Sequence, residues 1–183
     1  INMSSTRGTA RPKLRVPYAL AVYDEEEIKA VTAVLHSHRT MLGPLTEKFE
    51  AKIARLFGKK YGVMVNSGSS ANLLALELLQ LPKGSEEITP IVTFSTTLAP
   101  IIQKGLLPVF ADVELGTYLI NIDQIEALIT PNTKALMVPS LLGNIPHLER
   151  LREIAEGHSL WFIEDSCDTL GATFRRKPTG AYS

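Results

Sequence analysis

The chain has 183 residues, with 19 Lys and Arg against 19 Asp and Glu, 45% apolar and 21% charged, the composition of an ordinary globular protein. A formal net charge of zero and a pI of about 7.1, without any long block of like charge, give no field to gather nucleic acid or an anionic membrane. Cys167 is the single cysteine, so no internal disulfide is possible and a reducing cytoplasm fits best; no apolar run reaches the roughly 18 residues of a membrane span.

The opening INMSSTRGTARPKLR is polar, lacks the hydrophobic segment of a signal peptide, and predicts a mobile arm over residues 1–15. The body then runs from 16 to 183. Ile28, Val31 and Leu35 recur at helical spacing behind DEEE, whose negative charge favours a helix N-terminus. A second helix is predicted from Gly43-Pro44, with Leu45, Phe49, Ile53, Leu56 and Phe57 on one face and a stop at Gly58.

From Tyr61 short β-rich runs alternate with helical stretches. The predicted strands are GVMV, ITPIVTF, LPVFADV, KALMVPS and LWFIED; the predicted helices are SSANLLALELLQ, STTLAPIIQKG, NIDQIEALI and PHLERLREIAEG. That alternation predicts an α/β fold with a mainly parallel sheet covered by helices on both faces. Ligands of such sheets bind beyond the C-terminal strand ends, so the residues after each run are the ones to inspect. The length suits one domain or a large domain that has been cut. The start at Ile1 and the stop at TGAYS after the turn RRKPTG favour a cut.

Between GVMV and an apolar helix lies Asn66-Ser67-Gly68-Ser69-Ser70-Ala71-Asn72. Small residues let backbone approach a ligand, helix-start N–H groups attract an anion, and hydroxyls bond phosphate oxygens. The segment reads equally as a phosphate cradle or as a well-capped helix. It is neither G-x-G-x-x-G nor a Walker loop. A second signal is Trp161-Phe162-Ile163-Glu164-Asp165, an apolar strand ending in two carboxylates at the ligand edge. Asp165 can stay ionised there beside a cation such as a protonated pyridine nitrogen, or it can cap the next turn or ligate a metal, although no second acid or His at ligand spacing supports magnesium or zinc. Phe94 follows another strand and reads as a ring-stacking aromatic or a core Phe. His36, His38, His147 and His158 sit on predicted helices or their ends among charged neighbours and read as surface residues. The acidic neighbours Asp165 and Asp168 disfavour a nucleophilic Cys167.

In order, GPLTEKFEAKIARLFGKKYGVMVNSGSSANLLAL, ITPIVTFSTTLAPIIQKGLLPVFADV, TKALMVPSLLGNIPHL and LWFIEDSCDTLGA resemble the DegT/StrS family of pyridoxal-phosphate enzymes acting on nucleotide sugars, from about Val16 to Ser183. The resemblance implies an aspartate-aminotransferase-like large domain of which residues 16–183 form the N-terminal part. It assigns Gly68, Ser69 and Ser70 to the cofactor phosphate, Phe94 to stacking on the pyridine ring, and Asp165 to the ring nitrogen.

Asp168 is the residue that helps choose a branch and is placed with this cofactor-binding set. Sugar aminotransferases carry Gln or His there, in motifs like EDAAQA or EDAAHA, whereas EDSCDTLGA looks like the 3-dehydrases of 4-keto-6-deoxyhexoses that lead to dideoxy sugars and O-antigen. The resemblance therefore implies pyridoxamine phosphate or pyridoxal phosphate as cofactor, a CDP-linked or other nucleotide-linked keto sugar as substrate, and a cytoplasmic homodimer. In the dehydrases a His replaces the lysine of the aminotransferases; that position falls beyond Ser183, so no residue of this chain is assigned as catalytic base, and Lys177 does not match the family's lysine. Some such dehydrases add an iron–sulfur cluster and a reductase partner, with cluster ligands also expected downstream. The alternatives are a sugar aminotransferase and a non-catalytic fragment that keeps part of a cofactor pocket. One departure from the family stands out: KGSEEITP puts Glu87 at a strand start where an apolar residue is usual.

Overall fold

The computed structural model describes residues 15–17 and 20–183, so the arm predicted over 1–15 lies, Arg15 apart, outside the described residues. The chain divides into two units, Ile1–Gly43 and Pro44–Ser183. In the first, helix α1 (Glu25–His36) opens with a reciprocal cap: Asp24 Oδ1 accepts from the Glu26 N–H at 2.8 Å, and Glu27 Oε2 accepts from the Asp24 N–H at 2.8 Å. Two orphan donors are thereby satisfied at the acidic start that the sequence marks.

The second unit is built on a four-stranded parallel sheet of order β2-β1-β3-β4, from β1 (Glu86–Pro90), β2 (Leu107–Ala111), β3 (Thr133–Pro139) and β4 (Trp161–Asp165). Its helices are α2 (Pro44–Leu56), α3 (Gly68–Leu78), α4 (Ser95–Gln103), the short α5 (Ile125–Leu128) and α6 (Leu148–Gly157). Parallel strands need crossovers, and helices on the crossovers bury the sheet from both sides. One face carries Ile88, Leu136, Val138 and Phe162 against Ile125 of α5 and Leu148, Leu151 and Ile154 of α6. The opposite face carries Ile163 against Leu76 of α3, Ile101 of α4 and Leu106. The α/β fold expected from the sequence is therefore the fold observed.

Three predicted elements differ. GVMV is not a strand: its Met64 N–H is spent on Glu50 Oε1 of α2 at 2.7 Å, and a Cβ on Gly62 would lie 2.5 Å from the Glu50 carbonyl oxygen. The segment is held against a helix side, not in a ladder. The strand predicted as ITPIVTF starts two residues earlier and ends at Pro90, because Ile91–Phe94 must leave the sheet to reach α4. NIDQIEALI forms a 3₁₀ turn over Ile122–Gln124 followed by only four α-helical residues.

The turn expected in RRKPTG is the tip of a hairpin, β5 (Thr173–Phe174) with β6 (Lys177–Pro178). Arg175 and Arg176 occupy its two central positions with φ of 47° and 67°, the left-handed region that Asn and Gly normally fill. Arg175 is anchored outside the turn, ion-paired to Glu149 and placed 3.1 Å from His147 Nε2. No helix among the described residues is long and apolar enough to cross a membrane.

Candidate functional site

The chain passes from β1 to β2 on one side and then to β3 on the other, so the sheet reverses its winding at β1. Such a reversal opens a crevice at the C-terminal strand ends. Asp165 closes β4 at that edge, and Phe94 lies between β1 and α4.

Helix α3 begins at the same edge. Ser67, extended at φ −163° and ψ 161°, is its N-cap: Ser67 Oγ accepts from the Ser70 N–H at 3.2 Å, and the first intrahelical bond runs from the Ala71 N–H to the Ser67 carbonyl at 3.0 Å. The amides of Gly68 and Ser69 precede that bond, and helix-start amides of this kind attract anions. Gly68, Ser69 and Ser70 thus share one turn. Gly68 is there for space: a Cβ on it would stand 2.9 Å from Cys167 Sγ, closer than real Cβ atoms come.

Asn72, one helical turn on, joins this turn to the carboxylate. Its Nδ2 donates to Asp165 Oδ2 at 3.0 Å and to the Thr96 carbonyl at 3.3 Å. Asp165 Oδ1 accepts from the Cys167 N–H at 3.1 Å, so both carboxylate oxygens are held. Phe94 immediately precedes α4, with 65% of its surface exposed. Asn72 bonds helix α3, whose first turn holds Gly68, Ser69 and Ser70, to Asp165 and, through Thr96, to the segment that carries Phe94.

Asp168 is bonded to the turn after β3, the neighbour of β4 at the same sheet edge. Its Oδ2 accepts from the Leu142 N–H at 2.9 Å, which fixes the turn after β3 where Leu142 itself takes a φ of 56°. The two carboxylates of Glu164-Asp165 also separate, as strand alternation demands. Glu164 Oε2 accepts from the Gly180 N–H at 2.7 Å and Oε1 from Ser166 Oγ at 2.9 Å. Burial pushes the Glu164 carboxyl above the usual carboxylate range, and those bonds together with the Lys59 ammonium pull it partly back. Burial, with the Asp165 charge added, pushes the Cys167 thiol up to about 11, which agrees with the absence of a nucleophilic role. All four histidines are exposed; His147 caps α6, its Nδ1 accepting from the Arg150 N–H at 3.3 Å.

Sequence reasoning gave Asn72 no role. The signal available for it is a lone amide in the apolar run ANLLALEL, four residues before Leu76, the other buried position of α3. A small-residue helix start, a carboxylate held on both oxygens and an exposed aromatic side chain suit a flat, phosphate-bearing, cationic heterocycle.

The chain is similar to known proteins along most of its length. The chain is 44% identical over 170 residues to dTDP-4-dehydro-2,6-dideoxy-D-glucose 3-dehydratase of Saccharopolyspora spinosa, covering 88% of this chain and 37% of that protein. It is similar in structure to the Escherichia coli GDP-4-keto-6-deoxy-D-mannose-3-dehydratase solved with bound hydrated PLP, with a TM-score of 0.83 and 38% identity, over 89% of this chain and 43% of that one. It is also similar to a putative sugar aminotransferase from Streptococcus pneumoniae in its PLP form, with a TM-score of 0.86 and 25% identity, over 93% and 47% of the two chains. The chain thus spans less than half the length of these relatives. Residues 22–183 match one family throughout, and the chain belongs to the DegT/DnrJ/EryC1/StrS aminotransferase family.

Proposed function

We propose that the protein carrying this chain is a pyridoxamine- or pyridoxal-phosphate-dependent 3-dehydrase of a nucleotide-linked 4-keto-6-deoxyhexose, and that residues 16–183 supply its ring and phosphate contacts as the N-terminal part of the large domain. The observation that carries the cofactor reading is the 3.0 Å bond from Asn72 to Asp165, which places the strand-end carboxylate in the same assembly as the α3 cradle. The branch is supported by the 44% identity to a sugar 3-dehydratase and by Asp168 within EDSCDTLGA.

In this reading Gly68 admits the phosphate to the start of α3, and the Ser69 and Ser70 hydroxyls donate to its oxygens. Phe94 lies against the ring face, and Asp165 holds a proton on the ring nitrogen. When bound, the cofactor supplies an electron sink for bond breaking at the sugar. Asp168 acts from the neighbouring turn, setting Leu141–Gly143. In this reading the base is not among residues 16–183 and is supplied by the rest of the protein, as are the ligands of an iron–sulfur cluster and the surface for a reductase where a dehydrase of this kind uses them. A cytoplasmic homodimer completes the reading.

Sugar transamination is the second reading, favoured by the TM-score of 0.86 to a putative sugar aminotransferase. The test has two parts. Titration with pyridoxamine 5′-phosphate, followed by cofactor fluorescence, is expected to saturate, to be opposed by inorganic phosphate, and to weaken on Asp165→Asn. Incubating the protein with a nucleotide-linked 4-keto-6-deoxyhexose is then expected to give a sugar lacking its C3 hydroxyl. A C4 amino sugar instead would establish transamination, and failure to bind the cofactor would overturn both readings.

A further inference from the structure

Asn72 is 7% exposed and lies inside α3, a position where Asn is both a weaker helix former than Leu and in need of partners for its amide. A residue serving only its own helix would bond within it. Asn72 instead sends its two Nδ2 hydrogens to groups 93 and 24 residues away, Asp165 Oδ2 at 3.0 Å and the Thr96 carbonyl at 3.3 Å. Thr96 is two residues beyond Phe94, so a single amide spans the carboxylate at the end of β4 and the chain that presents the aromatic ring. Asp165 Oδ1 is already held by the Cys167 N–H at 3.1 Å. With Asn72 on the other oxygen, the carboxylate plane cannot turn without breaking a bond.

We propose that Asn72 is a positioning residue for the pyridine ring: its amide bridge fixes the Asp165 carboxylate relative to the Phe94 segment and so sets where the ring nitrogen is received. This inference rests on the reading of Asp165 as the ring-nitrogen partner. An apolar side chain at 72 would leave Asp165 Oδ2 and the Thr96 carbonyl to relax independently, while the start of α3, capped by Ser67, would keep its geometry.

The discriminating variants are Asn72→Leu, close in volume and favourable in a helix, and Asn72→Asp, which keeps the shape but puts a second carboxylate against Asp165. Two probes are titrated into each, pyridoxamine 5′-phosphate and inorganic phosphate, with thermal melting alongside. Asn72→Leu is expected to weaken pyridoxamine phosphate about tenfold, the scale of one hydrogen bond to a charged group, and inorganic phosphate by less than about twofold. Asn72→Asp is expected to lose at least as much for the pyridoxamine probe. The absorbance of the bound ring is expected to titrate at lower pH in Asn72→Leu, where the carboxylate is no longer held, and not in Asn72→Asp, where a second negative charge is added; loss of packing alone does not produce that contrast. Equal losses for the two probes would show that Asn72 merely supports the helix start and would overturn the inference, as would wild-type affinity for pyridoxamine phosphate. If the wild-type protein itself does not take pyridoxamine phosphate, the functional reading fails and the role of Asn72 fails with it; wild-type binding untouched by Asn72→Leu removes the inference alone.

Discussion

Glu164 and Asp165 are consecutive residues whose carboxylates leave β4 on opposite faces, the first accepting the Gly180 N–H at 2.7 Å and the second the Asn72 amide at 3.0 Å. One acid therefore holds the end of the chain to the sheet, and the other faces the α3 cradle. Their substitutions should separate stability from binding. Glu164→Ala strands a buried N–H and is expected to cost roughly 2 kcal/mol in chemical denaturation, with faster amide exchange at Gly180. Asp165→Asn keeps one acceptor oxygen, so either the Cys167 N–H or the Asn72 amide loses its partner; it is expected to cost less stability than Glu164→Ala while weakening pyridoxamine phosphate. Matched losses of stability in the two variants would refute this division.

Gly68→Ala tests the space beside Cys167. The added methyl meets Sγ at 2.9 Å, and because that sulfur ends an exposed side chain that can turn aside, the expected cost is under about 1 kcal/mol. Cys167→Ala removes the sulfur and is expected to restore most of that loss in the double variant, measured as a thermodynamic cycle. Purely additive losses would show that the clash is relieved elsewhere.

If Ser69 and Ser70 hold the phosphate as proposed, Ser69→Ala and Ser70→Ala are expected to weaken pyridoxamine phosphate and inorganic phosphate in parallel, several-fold each, with Ser70→Ala also losing the bond from Ser67 Oγ at 3.2 Å. That pattern is the opposite of the one expected for Asn72, so the two regions of the site can be told apart with the same pair of titrations. A loss confined to the pyridoxamine probe would place the serines against the ring.

Glu87 makes stability depend on pH. It is fully buried on β1, between Pro108 of β2 and Ala135 of β3, and neither carboxyl oxygen has a hydrogen-bond partner among the described residues. Burial raises its pKa from 4.5 to about 8. Between those values the folded chain binds a proton that the unfolded chain releases, so stability is full below pH 4.5 and is lost as pH rises through about 8. Relative to Glu87→Gln, the wild type is expected to lose roughly 3 kcal/mol between pH 4.5 and 7. Glu87→Val is expected to be more stable than wild type at pH 7 and flat across this window. Denaturation curves for the three proteins at pH 5, 6, 7 and 8 decide the matter, and parallel profiles would exclude a buried, protonated Glu87.

The parallel sheet was legible because buried runs such as ALMVP are apolar throughout and their helices are periodic. What misled was the same apolar signal without a partner: GVMV looks like a strand, yet its Met64 amide is taken by Glu50, fourteen residues earlier, a pairing no local pattern encodes. The small-residue turn at Gly68 and the strand-end Asp165 were visible as types at positions. Asn72 was not, because its importance lies in bonds to Thr96 and Asp165, and such distant pairings exist only once the sheet has formed. Glu87 could be seen as out of place in a strand; its isolation needed the two flanking strands.

The β5–β6 hairpin carries a lesson for redesign. Arginine at both central positions is an unfavourable choice for a turn with φ of 47° and 67°, and a conventional repair would install Asn-Gly. At Arg176 that repair eases the backbone. At Arg175 it also removes the guanidinium that ties the hairpin tip to Glu149 and His147 at the start of α6. The tip is thus a latch fastened by its side chain, and optimising its backbone would unfasten it.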